Sequence, residues 1–279
     1  MPRELDARQL IERSIHKKYR KELWTPFVAA VKRYALVQAG DRIAVCVSGG
    51  KDSMLMAKLM QQLERCSDVP FEAMFLVMDP GYSPANRRRI EDNAARLGIP
   101  AHIFETDIFD VANHVEKNPC YLCVRMRRGH LYSRAQALGC NKIALGHHFN
   151  DLIETTVMAM LWGAQLQGMM PKVRSANFPG MELIRPLYCV HEDDIVAWAR
   201  YNRLEFLQCA CRFTENAASG GGAGESKRQE VKQLLRAMRR DNPDVEKSVF
   251  NAIHAVNLDT FPGWKTKGEA HSFLEWYDE

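Results

Sequence analysis

An α/β fold, with a parallel twisted sheet covered by helices on both faces, is what this sequence predicts, on three observations. Apolar runs of strand length alternate along the chain with segments of helical periodicity. The first clear run, Ile43-Ala44-Val45-Cys46-Val47, ends directly in Ser48-Gly49-Gly50 and opens into a helix. A strand that ends in a glycine turn at the carboxyl edge of a parallel sheet is where such folds hold ligands.

The elements follow in order. Residues 1–40 read as a helical extension, with Leu5, Ile11, Ile15 and Tyr19 and then Phe27, Val28, Val31 and Ala35 in rough apolar spacing. After the first strand, Leu55, Leu59 and Leu63 at i, i+4 and i+8 give a buried helix face. Phe71 to Met78 is a second strand, closed by Asp79-Pro80-Gly81, and Asn86 to Leu97 is a helix stopped by Gly98. Ala101 to Thr106 is a third strand, followed by helices over Ile108 to Glu116 and Cys123 to Leu138. Lys142 to Leu145 is a fourth strand and Asp151 to Trp162 its helix. Met181 to Leu187 and Glu205 to Leu207 read as short strands around a helix from Glu192 to Tyr201. Ser219 to Gly224 is a flexible glycine loop, with helices over Glu225 to Arg240 and Asp244 to Val256 and an aromatic tail packed on the surface. The domain expectation is therefore 1–40 for the extension, 41–215 for the sheet domain and 216–279 for the loop, helices and tail.

The 279 residues, 46% hydrophobic and 26% charged, describe an ordinary globular chain. No apolar run reaches membrane length, and the charged N-terminus lacks a signal-peptide core, so a cytoplasmic protein without membrane contact is expected. A net charge of +4 decides little, but Arg87-Arg88-Arg89, Arg125/Arg127/Arg128, Lys227-Arg228 and Arg236/Arg239/Arg240 form separate basic clusters. Each alone is a solvated helix face; together they favour a polyanion partner.

Ser48-Gly49-Gly50-Lys51-Asp52-Ser53 carries the first chemistry. Glycines let the backbone approach an anion, helix amides point at it, Lys51 adds a charge, and Ser48 and Ser53 add hydroxyl donors. The spacing is not that of a Walker A loop, and Lys51 is followed by Asp. SGGKDS resembles the PP-loop of the N-type ATP pyrophosphatases, which implies an adenine nucleotide alpha hydrolase-like fold and cleavage of ATP between its α and β phosphates.

Eight cysteines without a secretion signal are expected to be reduced. Cys46 and Cys140 read as packing residues, and Cys66 and Cys189 have no partner spacing. Cys120-Tyr121-Leu122-Cys123 is compatible with half a zinc site, a thioredoxin-like pair or two ligands of an iron–sulfur cluster. Cys209-Ala210-Cys211 follows another expected strand and can converge on the same sheet edge. Residues at i and i+2 of an extended segment point to opposite sides, so one of the two is expected to bind.

The set SGGKDS, Cys120-x-x-Cys123 with Arg125-Met126-Arg127-Arg128-Gly129, Gly146-His147-His148 and Ile184-Arg185-Pro186-Leu187 is similar to the tRNA 2-thiocytidine biosynthesis (TtcA) family over residues 20–260. The resemblance implies a 4Fe-4S cluster held by three cysteines, ATP with magnesium, and thiolation of cytidine 32 in tRNA. Cys120 and Cys123 match the paired ligands. In the family the third ligand is the first cysteine of a CxxC; the segment here reads CxC, and position favours Cys209, with Cys211 as fallback. The related GHHxDD reads Gly146-His147-His148-Phe149-Asn150-Asp151, so Asn150 replaces the first carboxylate.

Ser48, Gly49, Gly50, Lys51 and Ser53 are expected to grip the expelled pyrophosphate. Asp52 and Asp151 are expected at magnesium or the loop lysine, with helix-terminal roles as the alternative for each. Asp79 is expected near the ribose or in a turn, Gly146 at the nucleotide, and Arg185 on the α-phosphate or RNA. Arg125, Arg127 and Arg128 are expected to face tRNA phosphates. The sulfur donor is expected to be a cysteine desulfurase or free sulfide, and a homodimer would be common for such a protein. Other PP-loop adenylating enzymes (lysidine synthase-like, a T-loop thiolase or small-molecule sulfur insertion) and a non-catalytic zinc RNA-binding protein are the competing readings.

Overall fold

The computed structural model describes residues 5–113, 119–207 and 227–277, leaving out the side chains of 110, 112, 113 and 119–124. The glycine stretch 219–224 and the pair Cys209 and Cys211 lie outside the described residues. The chain divides into two compact units, one of residues 1–152 and 169–224, the other of residues 153–168 and 225–279.

The first unit is built on a six-stranded sheet of β1 (Arg42–Val47), β2 (Glu72–Asp79), β3 (Ala101–Glu105), β4 (Lys142–Ala144), β5 (Lys172–Arg174) and β6 (Glu182–Ile184). Its order is β3-β2-β1-β4-β6-β5, parallel throughout except for the antiparallel edge strand β5. The strands are joined by α3 (Lys51–Cys66), α4 (Pro84–Leu97), α5 (Ile108–Asn113) and α6 (Pro119–Ala137), and α7 (Phe149–Gly163) begins after β4. Helix α8 (Glu192–Tyr201) follows β6. Successive strand residues face opposite sides. Ile43, Val45 and Val47 join one core with α3, α4 and α8, while Ala44 and Cys46 join a second beneath Tyr132 and Ala135 of α6.

Residues of the N-terminal segment belong to the first core. Helix α1 (Ala7–His16), a π-helical stretch (Arg20–Trp24) and α2 (Thr25–Arg33) contribute Ile11, Ile15, Leu23, Phe27 and Val31. Lys58 of α3 is fully buried and explains the attachment. Its ammonium donates to Glu12 Oε1 at 2.6 Å, Gln61 Oε1 at 2.9 Å and the Leu97 carbonyl at 2.7 Å. Further along, Trp198 of α8 donates its indole N–H to Ser14 Oγ at 3.1 Å.

The structure differs from the sequence expectation in three places. Glu205 to Leu207 is not a strand. Its extended backbone is held by two bonds outside the sheet, from the Leu207 N–H to the Gly49 carbonyl at 3.1 Å and from the Asn93 amide to the Glu205 carbonyl at 2.8 Å. β5 was not expected, because its three residues, two of them charged, carry no strand pattern of their own and pair only against β6. The tail forms a hairpin of β7 (Gly263–Thr266) and β8 (Glu269–Ser272). Its two-residue turn takes positive φ at both Lys267 (50°) and Gly268 (89°), the handedness that suits a tight hairpin.

The second unit holds this hairpin with α9 (Lys227–Asp241) and α10 (Val245–His254), closed by an Arg239–Glu246 ion pair at 2.6 Å. Among the described residues, no helix is long and apolar enough to cross a membrane.

Candidate functional site

The site forms where β1 ends. Gly49 adopts φ +85°, and a Cβ there would stand 2.7 Å from Ile90 Cγ1 and 3.1 Å from Leu207 Cδ1, so the turn needs glycine for both conformation and space. Gly50 is the extended N-cap of α3 and supplies no side-chain cap, which leaves first-turn amides directed out of the helix end. Ser53 Oγ accepts from the Ser48 N–H and from Ser48 Oγ, both at 3.1 Å, and donates to the Gly50 carbonyl at 3.0 Å. The loop is thus a closed ring of short hydrogen bonds before any ligand arrives.

Lys51 sits at its mouth between two carboxylates, donating to both oxygens of Asp52 at 3.0 Å and pairing with Glu192 Oε1 at 3.1 Å. Burial pulls the lysine pKa down, but Asp52 and Glu192 outweigh it and raise it above the ordinary value.

Next to it, His148 and Asp151 cap α7 reciprocally. The Asp151 carboxylate accepts from the His148 N–H at 3.0 Å, and His148 Nδ1 accepts from the Asp151 N–H at 3.3 Å. That bond assigns the imidazole proton to Nε2, which lies 3.5 Å from Asp151 Oδ2 and 3.9 Å from Asp52 Oδ1. Asp151 therefore has the capping geometry, with His148 between it and Asp52.

Gly146, just past β4, packs on the start of α3. A Cβ there would meet Ser53 N at 3.0 Å and Ser53 Cα at 3.1 Å, so it abuts the phosphate-loop helix at backbone distance. Asp79 is occupied by its own turn. One oxygen accepts from the Gly81 and Tyr82 N–H groups at 2.9 and 2.7 Å, and the other pairs with Arg87 at 3.0 Å. Beside it lies a cavity of about 460 Å³ lined in part by Tyr82, Arg88 and Thr106. Arg185 is buried and donates to the Met170 carbonyl. Burial, and then the charge of Arg128, hold its pKa below the ordinary value. Its geometry is that of a clamp on the segment before β5.

The cysteines separate as their settings require. Cys46 and Cys140 are buried packing residues, and burial, then the neighbouring Cys140, pushes the Cys46 thiol up to about 12. Cys120 and Cys123 are the second and fifth residues of α6, three positions apart, a spacing that puts them on one face of the helix. Two ties lead from the cysteine segments to the phosphate loop. Arg127, one turn past Cys123, donates to Tyr82 Oη at 3.1 Å, and that hydroxyl donates to the Ser48 carbonyl at 3.4 Å. Leu207, two residues before Cys209, is bonded to Gly49. As a donor set, Cys120, Cys123 and Cys209 have the chemistry of iron–sulfur ligands, and their thiols lie outside the described residues. Among the described residues no three His, Cys, Asp or Glu are arranged as a metal site.

Sequence reasoning placed Lys51, Asp52, Asp151 and Gly146 in one neighbourhood, and the structure brings them together. It missed Glu192 as a site residue. Glu192-Asp193-Asp194 reads as an ordinary acidic first turn of a helix, and nothing local signals that its first carboxylate reaches across to another helix.

A doubly wound sheet whose first strand delivers a closed Ser-Gly-Gly-Lys loop onto a helix end defines the PP-loop class, and a protein-family model described as a PP-loop domain matches residues 17–211. The chain belongs to the tRNA-cytidine(32) 2-sulfurtransferase family. It is 35% identical over 232 residues to the protein of that name from Citrifermentans bemidjiense, covering 82% of this chain and 88% of the relative. It is 34% identical to that of Stenotrophomonas maltophilia, covering 91% and 81%. The fold matches the U34-tRNA thiolase NcsA from Methanococcus maripaludis, solved with its 4Fe-4S cluster, at a TM-score of 0.65 and 19% identity, over 87% of this chain and 81% of that one.

Proposed function

We propose that this chain thiolates tRNA at the expense of ATP, adenylating the C2 oxygen of a pyrimidine, cytidine 32, and replacing it with sulfur. The observation that carries this is the pair of ties that bind both cysteine-bearing segments to the phosphate loop, Arg127–Tyr82–Ser48 and Leu207–Gly49. A loop alone activates something; a loop tied to the chain segments that carry the cysteines suits activation followed by sulfur transfer.

Oxygen on C2 leaves poorly. In the first step it bonds to the α-phosphorus of ATP while the bond to the β-phosphate oxygen breaks and pyrophosphate departs. The bonds among Ser48, Ser53 and Gly50 hold the turn in shape, so the backbone amides of Gly49, Gly50 and the first turn of α3 receive the growing negative charge, and Lys51 meets it with a full charge. Asp52, in the first turn of α3, orients Lys51 and would be the carboxylate that holds a magnesium accompanying the triphosphate. Gly146 lets the segment after β4 lie against the start of α3, and Asp79 shapes the turn beside the nucleotide. In the second step hydrosulfide adds at C2 and AMP leaves with the oxygen, with no net change in oxidation state.

Cys120, Cys123 and Cys209, with Cys211 as fallback, would hold a 4Fe-4S cluster, which with three protein ligands keeps one iron open to a sulfur ligand. Sulfide enters from a cysteine desulfurase or from solution. Arg125 and Arg128 are exposed on α6 and suit tRNA phosphates, while Arg127 is turned inward to Tyr82. A tRNA substrate places the protein in the cytoplasm.

The deciding experiment incubates anaerobically purified protein with ATP, magnesium, tRNA and sulfide, and digests the tRNA for mass spectrometry. A 2-thiocytidine at position 32, formed one for one with AMP, is expected. AMP without any thionucleoside would overturn the reading.

A further inference from the structure

Asn150 stands where the related motif has its first carboxylate, and the structure gives that amide a definite task. Helix α8 starts after His191, whose side chain makes no capping bond. The cap comes from another helix, for Asn150 Oδ1 accepts the Glu192 N–H at 2.9 Å. The attachment is reinforced by the Phe149 N–H bond to the Val190 carbonyl at 3.0 Å and by the Phe149 and His191 rings, 4.2 Å apart. The residue held by its backbone in this way is the one whose carboxylate lies 3.1 Å from the Lys51 ammonium. Three acids, Glu192, Asp193 and Asp194, share the first turn of α8, and burial raises the Asp194 pKa. An amide at 150 supplies the acceptor without a fourth charge.

We propose that Glu192 is a positioning residue for Lys51 and Asn150 the support that fixes Glu192, a relay that rests on the adenylation reading. A lysine ammonium rides on a flexible four-carbon stem and gives no geometry of its own. Carboxylates on two different helices, Asp52 of α3 and Glu192 of α8, fix it over the loop before nucleotide binds, so its charge is in place where pyrophosphate charge grows. Glu192 acts through Lys51 and not on the substrate. Its loss is therefore felt in the transition state more than in ground-state binding, where a released Lys51 still finds a phosphate.

Pyrophosphate release by the purified protein with tRNA, across a range of ATP, tests this. Glu192→Gln and Asn150→Ala are each expected to lower kcat about tenfold with no rise in KM for ATP. The double variant is expected to lose no more than the worse single one, the non-additivity of residues acting in series. Asn150→Asp, which keeps the acceptor, recovers most of what Asn150→Ala loses. A second readout needs no turnover: acetylation of Lys51 by acetic anhydride in nucleotide-free protein, followed by peptide mass spectrometry, is expected to quicken in Glu192→Gln and Asn150→Ala. Multiplied losses, a KM rise matching the fall in kcat, or unchanged Lys51 labelling would each overturn the relay. If wild-type protein releases no pyrophosphate, the adenylation reading fails, and the labelling result still decides the relay. Should Asn150→Ala not fold, Glu192→Gln and Asn150→Asp carry both measurements.

Discussion

Leu207 donates its backbone N–H to the carbonyl of Gly49, the residue whose φ of +85° makes the phosphate turn. One hydrogen bond therefore fixes where the third cysteine segment leaves the core. On the proposed cluster assignment, Cys120→Ala, Cys123→Ala and Cys209→Ala should abolish the visible absorption and bound iron of anaerobically purified protein. Cys211→Ala and Cys46→Ala should keep both. Lys51→Ala should show the opposite pattern, with full colour and pyrophosphate release reduced by at least a hundredfold, about 2.7 kcal/mol of barrier. Loss of colour in Cys211→Ala with retention in Cys209→Ala would reverse the assignment of the third ligand.

Gly146→Ala offers a test by a single methyl group. Its Cβ would meet Ser53 N at 3.0 Å and the Asp52 carbonyl carbon at 3.2 Å, backbone atoms that cannot rotate away. The start of α3 must move by tenths of an ångström, and the donors of the loop move with it. Pyrophosphate release should fall about tenfold or more, because misplaced donors cost transition-state stabilisation. The melting temperature should drop by only a few degrees. Unchanged turnover would mean that the loop tolerates displacement.

Arg125 and Arg128 present exposed guanidinium groups on α6. Replacing both with Gln should weaken tRNA binding and reduce the slope of log K against log salt by about 0.7–0.9 for each phosphate no longer neutralised. Calorimetric ATP affinity should stay the same. An unaltered salt slope would place the tRNA on another face.

Glu12 makes acid stability measurable. Burial alone would raise its pKa, but hydrogen bonds and charges from Lys58 and Arg8 outweigh it and hold the pKa below the ordinary 4.5. A carboxylate whose folded pKa is lowered contributes stability that is complete above its unfolded value and is lost as pH falls through the folded one. Thermal unfolding of the wild type should therefore fall increasingly as the pH drops below about 4.5. Glu12→Gln should be flatter in that range. At pH 7 the variant should be less stable by about 3 kcal/mol, since it leaves Lys58 buried without its carboxylate. Parallel pH curves for the two proteins would argue against the pairing.

The sheet and its phosphate loop were legible because β1 is buried on both faces and reads as an unbroken apolar run into Ser48-Gly49-Gly50. β5 was not, since Lys172-Val173-Arg174 becomes a strand only through its register with β6, a non-local fact. Glu205 to Leu207 read as a strand because its aromatic and aliphatic residues have strand composition. Its backbone is bound to a turn and to a helix side chain instead, which composition does not report. At the site, Lys51, Asp52 and Asp151 were marked by their motifs. Glu192 was invisible because its role depends on where α8 starts relative to α3, and that is set by Asn150 and by the anchoring of Trp198 on Ser14. The turn at Lys267-Gly268 carried a cue in its glycine, too slight among polar neighbours to register as a hairpin.

The burial of Lys58 beneath Glu12 has a consequence for biogenesis. The two residues lie 46 positions apart, and the Leu97 carbonyl that completes the shell comes 39 positions after Lys58. As the chain leaves the ribosome, α1 emerges with its acidic side chain unspent and must remain near the exit until α4 has been made. Only then can the helix that carries the phosphate loop lose water from its ammonium group. A chain shortened to begin after α1 would keep the Gln61 and Leu97 acceptors and lack the carboxylate, leaving the phosphate loop mounted on a helix with an uncompensated internal charge. The first helix to be synthesised is in that sense among the last to be locked onto the helix that carries the phosphate loop.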